Sequence, residues 1–385
     1  MRDVCCVRTP KRAMGAMGAI YGYGIIGCGW VASAHAWGVR VLYDEGVRLV
    51  AVADNDVGRA KQLAGEFGVE AVYADYGDLL ARGDIDAVSV CLPDWLHRDV
   101  TVAAARAGKH VLCEKPLALD LARADEMVRE CEASGVGLGL IMNHRYFADN
   151  IRAKWIVSDG ALGRVLFGSV VHASGLTGNA DGTSPWRGRR GLAAGGVLST
   201  QAIHFLDLLL WFAGPVGAVK AWTKTLVLGD EQDHEDTAAI ALRLQSGALA
   251  TLVTSSGSPI MDDFTGTRIE LHGSDGYLML EGDRLRLLQT RKDYAVPDVK
   301  LPQVPAGAQE VIFGVGHIYE IADFVKAVRE GREPPVPGTD GRHLMAVLDA
   351  AYTSARGSEE IPVLEASSGY GRGDDTDSLL YASSV

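Results

Sequence analysis

The chain has no excess of positive charge: 37 lysines and arginines stand against 49 aspartates and glutamates, a formal charge of −12 over 385 residues. A basic footprint of domain size is missing, and with it the electrostatic basis for binding nucleic acid or an anionic membrane. Cysteine is scarce. Cys5, Cys6, Cys28, Cys91, Cys113 and Cys131 are scattered with no CxxC pair, which excludes a disulfide scaffold and points to a reducing compartment, the cytoplasm. Cys28, Cys91 and Cys113 sit in apolar runs, where a thiol acts as a small buried hydrophobe. No run approaches the roughly eighteen apolar residues of a membrane helix. Arg2, Arg8, Lys11 and Arg12 resemble a signal-peptide start, but the apolar run behind them, Ile20–Cys28, is broken by glycines and no small-residue cleavage site follows. Residues 1–18 therefore read as a loose leader.

What remains is an ordinary globular composition, 48% apolar and 22% charged, in a chain long enough for two or three domains. Strand-like runs at Tyr21–Ile26, Arg48–Ala53, Ala87–Cys91, His110–Cys113 and Gly137–Ile141 alternate with helical patterns at Val31–Tyr43, Val57–Phe67, Leu96–Ala107 and Leu121–Ala133. Parallel strands joined by right-handed crossover helices follow, so the fold class is α/β, with a doubly wound Rossmann sheet over residues 19–142. Beyond it a helix (Asn150–Ser158), a strand (Val165–Ala173), a loop rich in small polar residues (Ser174–Gly196) and a helix from about Thr200 to Phe212 precede β-like runs with short turns. Residues 143–366 thus read as an α+β domain with a largely antiparallel sheet for substrate binding and oligomerisation. Its closing helices, His317–Glu330 and Arg342–Arg356, are placed to pack back on the first domain. Residues 367–385, rich in Gly, Ser and Asp, read as a flexible tail.

The first strand runs into Gly27-Cys28-Gly29-Trp30-Val31-Ala32, a GxGxxA turn that opens a helix inside a βαβ unit. Gly27 permits the tight turn, Gly29 lets backbone approach a diphosphate, and Ala32 keeps the helix close to the sheet. Asp54, with Asn55 beside it, ends the second strand twenty-five residues after Gly29. A carboxylate there accepts from a ribose diol and repels a 2′-phosphate, which favours NAD over NADP even with Arg59 nearby. Two further strand ends, Leu92-Pro93-Asp94 with His97, and Glu114-Lys115, fall where open α/β sheets bind ligands. A lysine there suits an alkoxide-stabilising role.

These segments resemble the glucose–fructose oxidoreductase / inositol dehydrogenase / rhizopine-catabolism (Gfo/Idh/MocA) family. The likeness rests on GIIGCG, VADND, DIDAVSVCLPDWLH and above all AGKHVLCEKPLAL, then on SPWRG, AAGGVLSTQAIHFLDLLLWFAG and DFVKAVREGREPPVPGTDGRH, and it spans roughly residues 20 to 363. It implies an NAD-dependent oxidoreductase acting on a secondary alcohol of a sugar, sugar derivative or cyclitol, with Lys115 as catalytic lysine and His204 as acid/base. It also implies that Asn143, His144 and Arg145 line the cleft at the start of the second domain, with Trp186 and Arg187 near the nicotinamide. Thr200 and Gln201, just ahead of His204, complete the substrate side. The family's commonest pattern has an aspartate where Thr200 stands, so a carboxylate relay is in doubt; Asp207 is read as pinning the helix. Family members are dimers or tetramers, which predicts a homo-oligomer here. Two alternatives stay open: a redox-neutral glycosidase or epimerase that reuses its NAD, and a non-catalytic sugar or dinucleotide sensor, against which both Lys115 and His204 speak. His234-Glu235-Asp236 reads as a polar turn and not a metal site, for want of a second histidine at ligand spacing. Asp262-Asp263 reads as a solvated turn near the pocket.

Overall fold

A computed structural model of the chain describes residues 20–175, 186–229, 232–258, 266–309, 314–363 and 370. The expected leader, Asp262-Asp263, the middle of the long loop and, apart from Tyr370, the expected tail lie outside the described residues.

The first domain alternates strand and helix: β1 (Tyr21–Ile26), α1 (Ala32–Arg40), β2 (Val47–Ala53), α2 (Val57–Phe67), β3 (Ala71–Tyr73), α3 (Tyr76–Leu80), β4 (Ala87–Val90), α4 (Asp94–Arg106), β5 (His110–Cys113), α5 (Leu121–Ser134) and β6 (Leu138–Leu140). Its six strands lie in the order β3-β2-β1-β4-β5-β6, all parallel. The order reverses between β1 and β4, so the ends of these two strands open a crevice. β3, a half-buried strand at the sheet edge, and the five-residue α3 are additions to the sequence reading. The helices stop and start on identifiable signals. Asp56 and Asp120 cap α2 and α5 by accepting from backbone N–H groups, and Gly68 and Gly135 end them in the left-handed conformation.

The second domain continues with α6 (Ala148–Ser158), β7 (Val165–Ala173), α7 (Val197–Thr200), α8 (Ala202–Ala213), β8 (Val216–Lys224), β9 (Thr237–Leu244), β10 (Leu249–Ser255), β11 (Thr267–Gly273), β12 (Gly276–Glu281), β13 (Arg284–Thr290), α9 (Ala306–Gln309), α10 (Gly316–Arg329), α11 (Gly338–Gly357) and β14 (Ile361–Pro362). Eight strands form one sheet, β13-β12-β11-β7-β10-β9-β8-β14, antiparallel except for the β7–β10 pair. Its inner face, with Val170, Ile240, Leu242 and Leu252, is buried in one core with α8 and α11.

The outer face is apolar and open. Pairing sets Phe167 beside Leu249 and Val171 beside Val253, with Trp222 beside Ala239 two strands away. Phe167, Val171, Leu249, Val253 and Trp222 are all exposed. No helix among the described residues is long and apolar enough to cross a membrane.

The closing helices do pack back on the first domain. Ile321, Phe324, Val325 and Val328 of α10 join Tyr23, Ile25, Ala32 and Val39 in a second core. The fit of α10 on α1 is close enough that a Cβ on Gly38 would lie 2.7 Å from Ile321. The chain between α10 and α11 adds to the sheet edge, where Leu140 N–H donates to Val336. The two domains are thus laced together at the junction that holds the site.

Candidate active site

The glycine turn is built by backbone constraint. Gly27 has φ +92°, and a Cβ there would meet the Cys91 carbonyl oxygen at 2.2 Å. A Cβ on Gly29 would have nothing within 4 Å, which leaves the turn open to an approaching ligand. No side chain caps α1, so its first-turn N–H groups suit a diphosphate. Asp54 closes the turn from beside: one carboxylate oxygen accepts from Cys28 N–H at 2.7 Å and the other from Asp56 N–H at 2.8 Å. Arg59 is paired with Asp56 and leaves Asp54 as the carboxylate beside the turn at the end of β2. This combination of open turn, free helix start and strand-end carboxylate fits an NAD cofactor. Gly27→Ala should weaken NADH binding at least about tenfold through the clash and the strained φ, as a fluorescence titration would measure.

The end of β5 leads into Lys115. Lys115 Nζ donates to the Thr200 carbonyl at 2.5 Å, which ties the Rossmann sheet to the helical turn preceding His204. The helix expected from Thr200 is broken at Gln201 into α7 and α8. Thr200, where an aspartate is usual, spends its hydroxyl on Gly196 O at 2.8 Å, and Gln201 accepts from Ser174 at 2.9 Å. His204 stacks on His144 with ring centroids 4.5 Å apart and planes 10° off parallel. Its Nδ1 is buried without a hydrogen-bond partner among the described residues. Burial first, then the charges of Lys115 and His144, hold its pKa well below the ordinary histidine value. The ring is therefore a neutral imidazole, able to take a proton.

Behind Lys115 lies a network that spacing did not reveal. Tyr23 Oη is 2.8 Å from Ser89 Oγ, which is 2.7 Å from His35 Nδ1, and His35 Nε2 is 3.0 Å from Glu114. His317 of α10 reaches the same Glu114 oxygen at 3.6 Å, and the other oxygen accepts from Lys115 N–H at 3.2 Å. Burial alone would raise the Glu114 pKa, but the hydrogen bonds from His317 and His35 hold it well below the carboxylate range. Glu114, expected at the cofactor, is instead the buried anion that anchors the backbone of the lysine.

Other expected contacts are similarly redirected. Arg145, placed at the cofactor and substrate by the sequence reading, is 3% exposed and gripped by Asp207 and Asp340. A guanidinium left unpaired there would carry a large desolvation cost, so it serves the junction between segments. Asp207 indeed pins α8. His97 is fully buried, its two ring nitrogens 2.8 and 2.7 Å from the Pro116 and Leu92 carbonyls, where it braces the β4 and β5 ends. Asp94 is buried and accepts from Ala194 N–H at 3.1 Å, which draws the second-domain loop over Leu92 and Pro93. Asn143 is buried at the junction.

Trp186 meets Trp95 edge-on at 5.5 Å, and Arg187 lies 5.4 Å from the Trp186 ring and 5.5 Å from Trp30 of the glycine turn. Trp30, 38% exposed, is thus bridged to the other domain. Val31 and Asn55 flank the same mouth, partly buried and exposed respectively. The sequence gives no hint of the Glu235 and Asp236 roles. Glu235 is buried and accepts from Gly196 and Leu198 N–H groups and from Tyr352, and Asp236 accepts from the N–H groups of Leu226, Val227 and Leu228. Within the apparent polar turn, Glu235 holds the start of α7 and Asp236 holds the turn after β8. Among the described residues no three His, Cys, Asp or Glu side chains form a metal site.

Comparison with known proteins agrees with this geometry. Residues 21–142 match the model of an oxidoreductase family with an NAD-binding Rossmann fold, and residues 151–279 match the GFO/IDH/MocA C-terminal domain. The chain is 29% identical to myo-inositol 2-dehydrogenase of Thermotoga maritima over 346 residues, covering 88% of this chain and 96% of that one. It is 30% identical to 1,5-anhydro-D-fructose reductase of Ensifer adhaerens, over 86% of this chain and 96% of the relative. The crystal structure of the WlbA dehydrogenase from Bordetella pertussis in complex with NADH and UDP-GlcNAcA superposes with a TM-score of 0.81 at 26% identity, over 91% of this chain and 99% of that one. The chain belongs to the Gfo/Idh/MocA family of NAD-dependent oxidoreductases.

Proposed function

We propose that the protein is an NAD-dependent dehydrogenase acting on a secondary alcohol of a sugar, sugar derivative or cyclitol, or running in the reverse direction. The observation that carries this reading is the junction of Lys115, held on Thr200, with a neutral His204 stacked on His144, at the mouth opened by the glycine turn. Bound NAD supplies the hydride acceptor. The chain's own residues handle the proton and the charge: His204 takes the proton from the hydroxyl, and the Lys115 ammonium stabilises the oxygen as negative charge develops on it. Thr200 holds no charge at neutral pH, so this pair carries the proton handling without a carboxylate relay. His144, Gln201 and Trp186 shape the substrate side, the last offering a flat apolar face of the kind that packs on a sugar ring. The names of the two relatives, an inositol dehydrogenase and an anhydrosugar reductase, support the substrate class.

The test is NADH formation by purified protein with NAD across free sugars, cyclitols, glycosides and nucleotide sugars. A clear hit is expected among the polyols. Tightly held NAD with no net NADH from any of them would overturn the dehydrogenase reading in favour of the redox-neutral one.

The same proposal extends to assembly and location. The exposed apolar outer face of the eight-stranded sheet needs a cover, and a second copy of the chain supplies it. Light scattering after size exclusion should give a dimer or tetramer, and Phe167→Glu combined with Val253→Glu should give a monomer with unchanged NADH affinity. The free, buried Cys28, Cys91, Cys113 and Cys131 support a reducing compartment, the cytoplasm.

A further inference from the structure

Buried charges need partners, and a cluster that is not neutral needs hydrogen-bond donors as well. Beneath α8 lie Arg145, Asp207 and Asp340, with side chains 4%, 1% and 2% exposed: one cation for two carboxylates. Arg145 Nε donates to Asp207 Oδ2 at 2.8 Å, and its Nη2 donates to Asp207 Oδ1 at 2.6 Å and Asp340 Oδ2 at 3.1 Å. A further donor comes from the far end of the chain. Tyr370, 4% exposed, donates its hydroxyl to Asp207 Oδ1 at 2.6 Å. Its ring lies 5.2 Å from the Arg145 guanidinium and 5.6 Å from the His343 ring.

Asp207 follows His204 by three residues on α8, and Arg145 follows His144 by one. The two segments meet through rings, His144 against His204 and Phe205, and through Arg145, which pairs with Asp207 and lies 5.5 Å from the Trp211 ring. The ion pair is the charged joint, and it helps set the rotation and height of α8 and with them where the His204 ring points. Tyr370 completes that joint. It lies outside both segments that match the family models, residues 21–142 and 151–279.

We propose that Tyr370 is a positioning residue for His204: its hydroxyl, through Asp207, holds α8 in register with His144. The proposal rests on the reading of His204 given above for its effect on turnover, but not for its effect on the helix.

The test uses the full chain carrying Tyr370→Phe, which keeps the ring on Arg145 and removes only the donor. Two measurements need no substrate. NADH affinity should stay at the wild-type value, and hydrogen exchange should quicken over residues 202–213 while the strands at 237–255 exchange as before. The third uses myo-inositol, or whichever polyol the panel identifies. There kcat should fall about tenfold, the size of one hydrogen bond to a charged group, with little change in KM. In a double-mutant cycle, adding Tyr370→Phe to Asp207→Ala should cost nothing more, because the alanine has already removed the acceptor that Tyr370 acts through. A residue that only stabilises the fold would lower the melting temperature and leave kcat alone, and that result overturns the proposal. So does wild-type exchange over 202–213, or additive losses in the cycle. If wild-type protein oxidises no polyol, the functional reading fails and the exchange measurement alone decides this one.

Discussion

A His204→Ala chain should bind NADH as the wild type does and yet turn over roughly two to four orders of magnitude more slowly, the span contributed by a positioned acid/base. The histidine has to be neutral to take the alcohol proton. Burial disfavours its imidazolium, and the charges of Lys115 and His144 disfavour it further, so the ring loses its proton below the ordinary histidine range. Wild-type kcat for oxidation should stay level as the pH falls through about 6.5 and drop only lower, where the ring at last protonates. Steady-state rates across that range check the sign. An acid limb centred on the ordinary histidine value, or near-normal turnover in His204→Ala, would remove the residue from its role.

Lys115→Met should cost about two to three orders of magnitude in turnover, the usual loss when a donor to a developing oxyanion is deleted. NADH affinity should barely change, because the glycine turn and Asp54 remain as they were. The same substitution makes a second, independent prediction. Lys115 is the strongest of the charges that depress the His204 pKa, second only to burial, so its removal lets the ring protonate more easily. The acid limb of kcat in Lys115→Met should move to higher pH than in the wild type. An acid limb that stays in place in Lys115→Met, with stability alone reduced, would show that the lysine acts through its 2.5 Å hydrogen bond to Thr200 and that its charge does not reach His204. The pH profile therefore separates an electrostatic role from a structural one.

Much of the architecture was legible because the two periods of the chain are unambiguous in the first domain. Short apolar runs alternate with helical patterns there, and the glycine turn after β1 has a backbone reason that survives in the structure, since a Cβ at Gly27 has nowhere to go. Motif resemblance singled out Lys115 and His204, and Thr200 as a departure from it; the structure adds that Lys115 donates to the Thr200 carbonyl. The edge strands β3 and β14 and the five-residue α3 were not legible. The one parallel pair of the second sheet, β7 with β10, was also hidden: strand direction depends on which non-neighbouring segments meet.

Charged residues were the least legible. Arg145, His97 and Glu114 sit at positions that a motif reading assigns to the ligand, yet each spends its polar atoms on other parts of the protein. Glu235 and Asp236 read as a polar turn in a row of polar letters and are buried acceptors of backbone N–H groups in the fold. Whether a charge meets solvent, a ligand or a buried partner depends on contacts such as Arg145 with Asp340, 195 residues away.

The sequence by itself determined the fold class, the NAD-binding turn and the identity of the two residues proposed to do the chemistry, because local backbone rules and a specific motif encode them. Only the tertiary structure decided that His204 is a neutral ring stacked on His144, that Glu114 anchors the lysine from behind, and that Tyr370 closes a buried charge cluster under the acid/base helix. Desolvation and charge pairing are properties of three-dimensional neighbours, and no spacing along a chain records them.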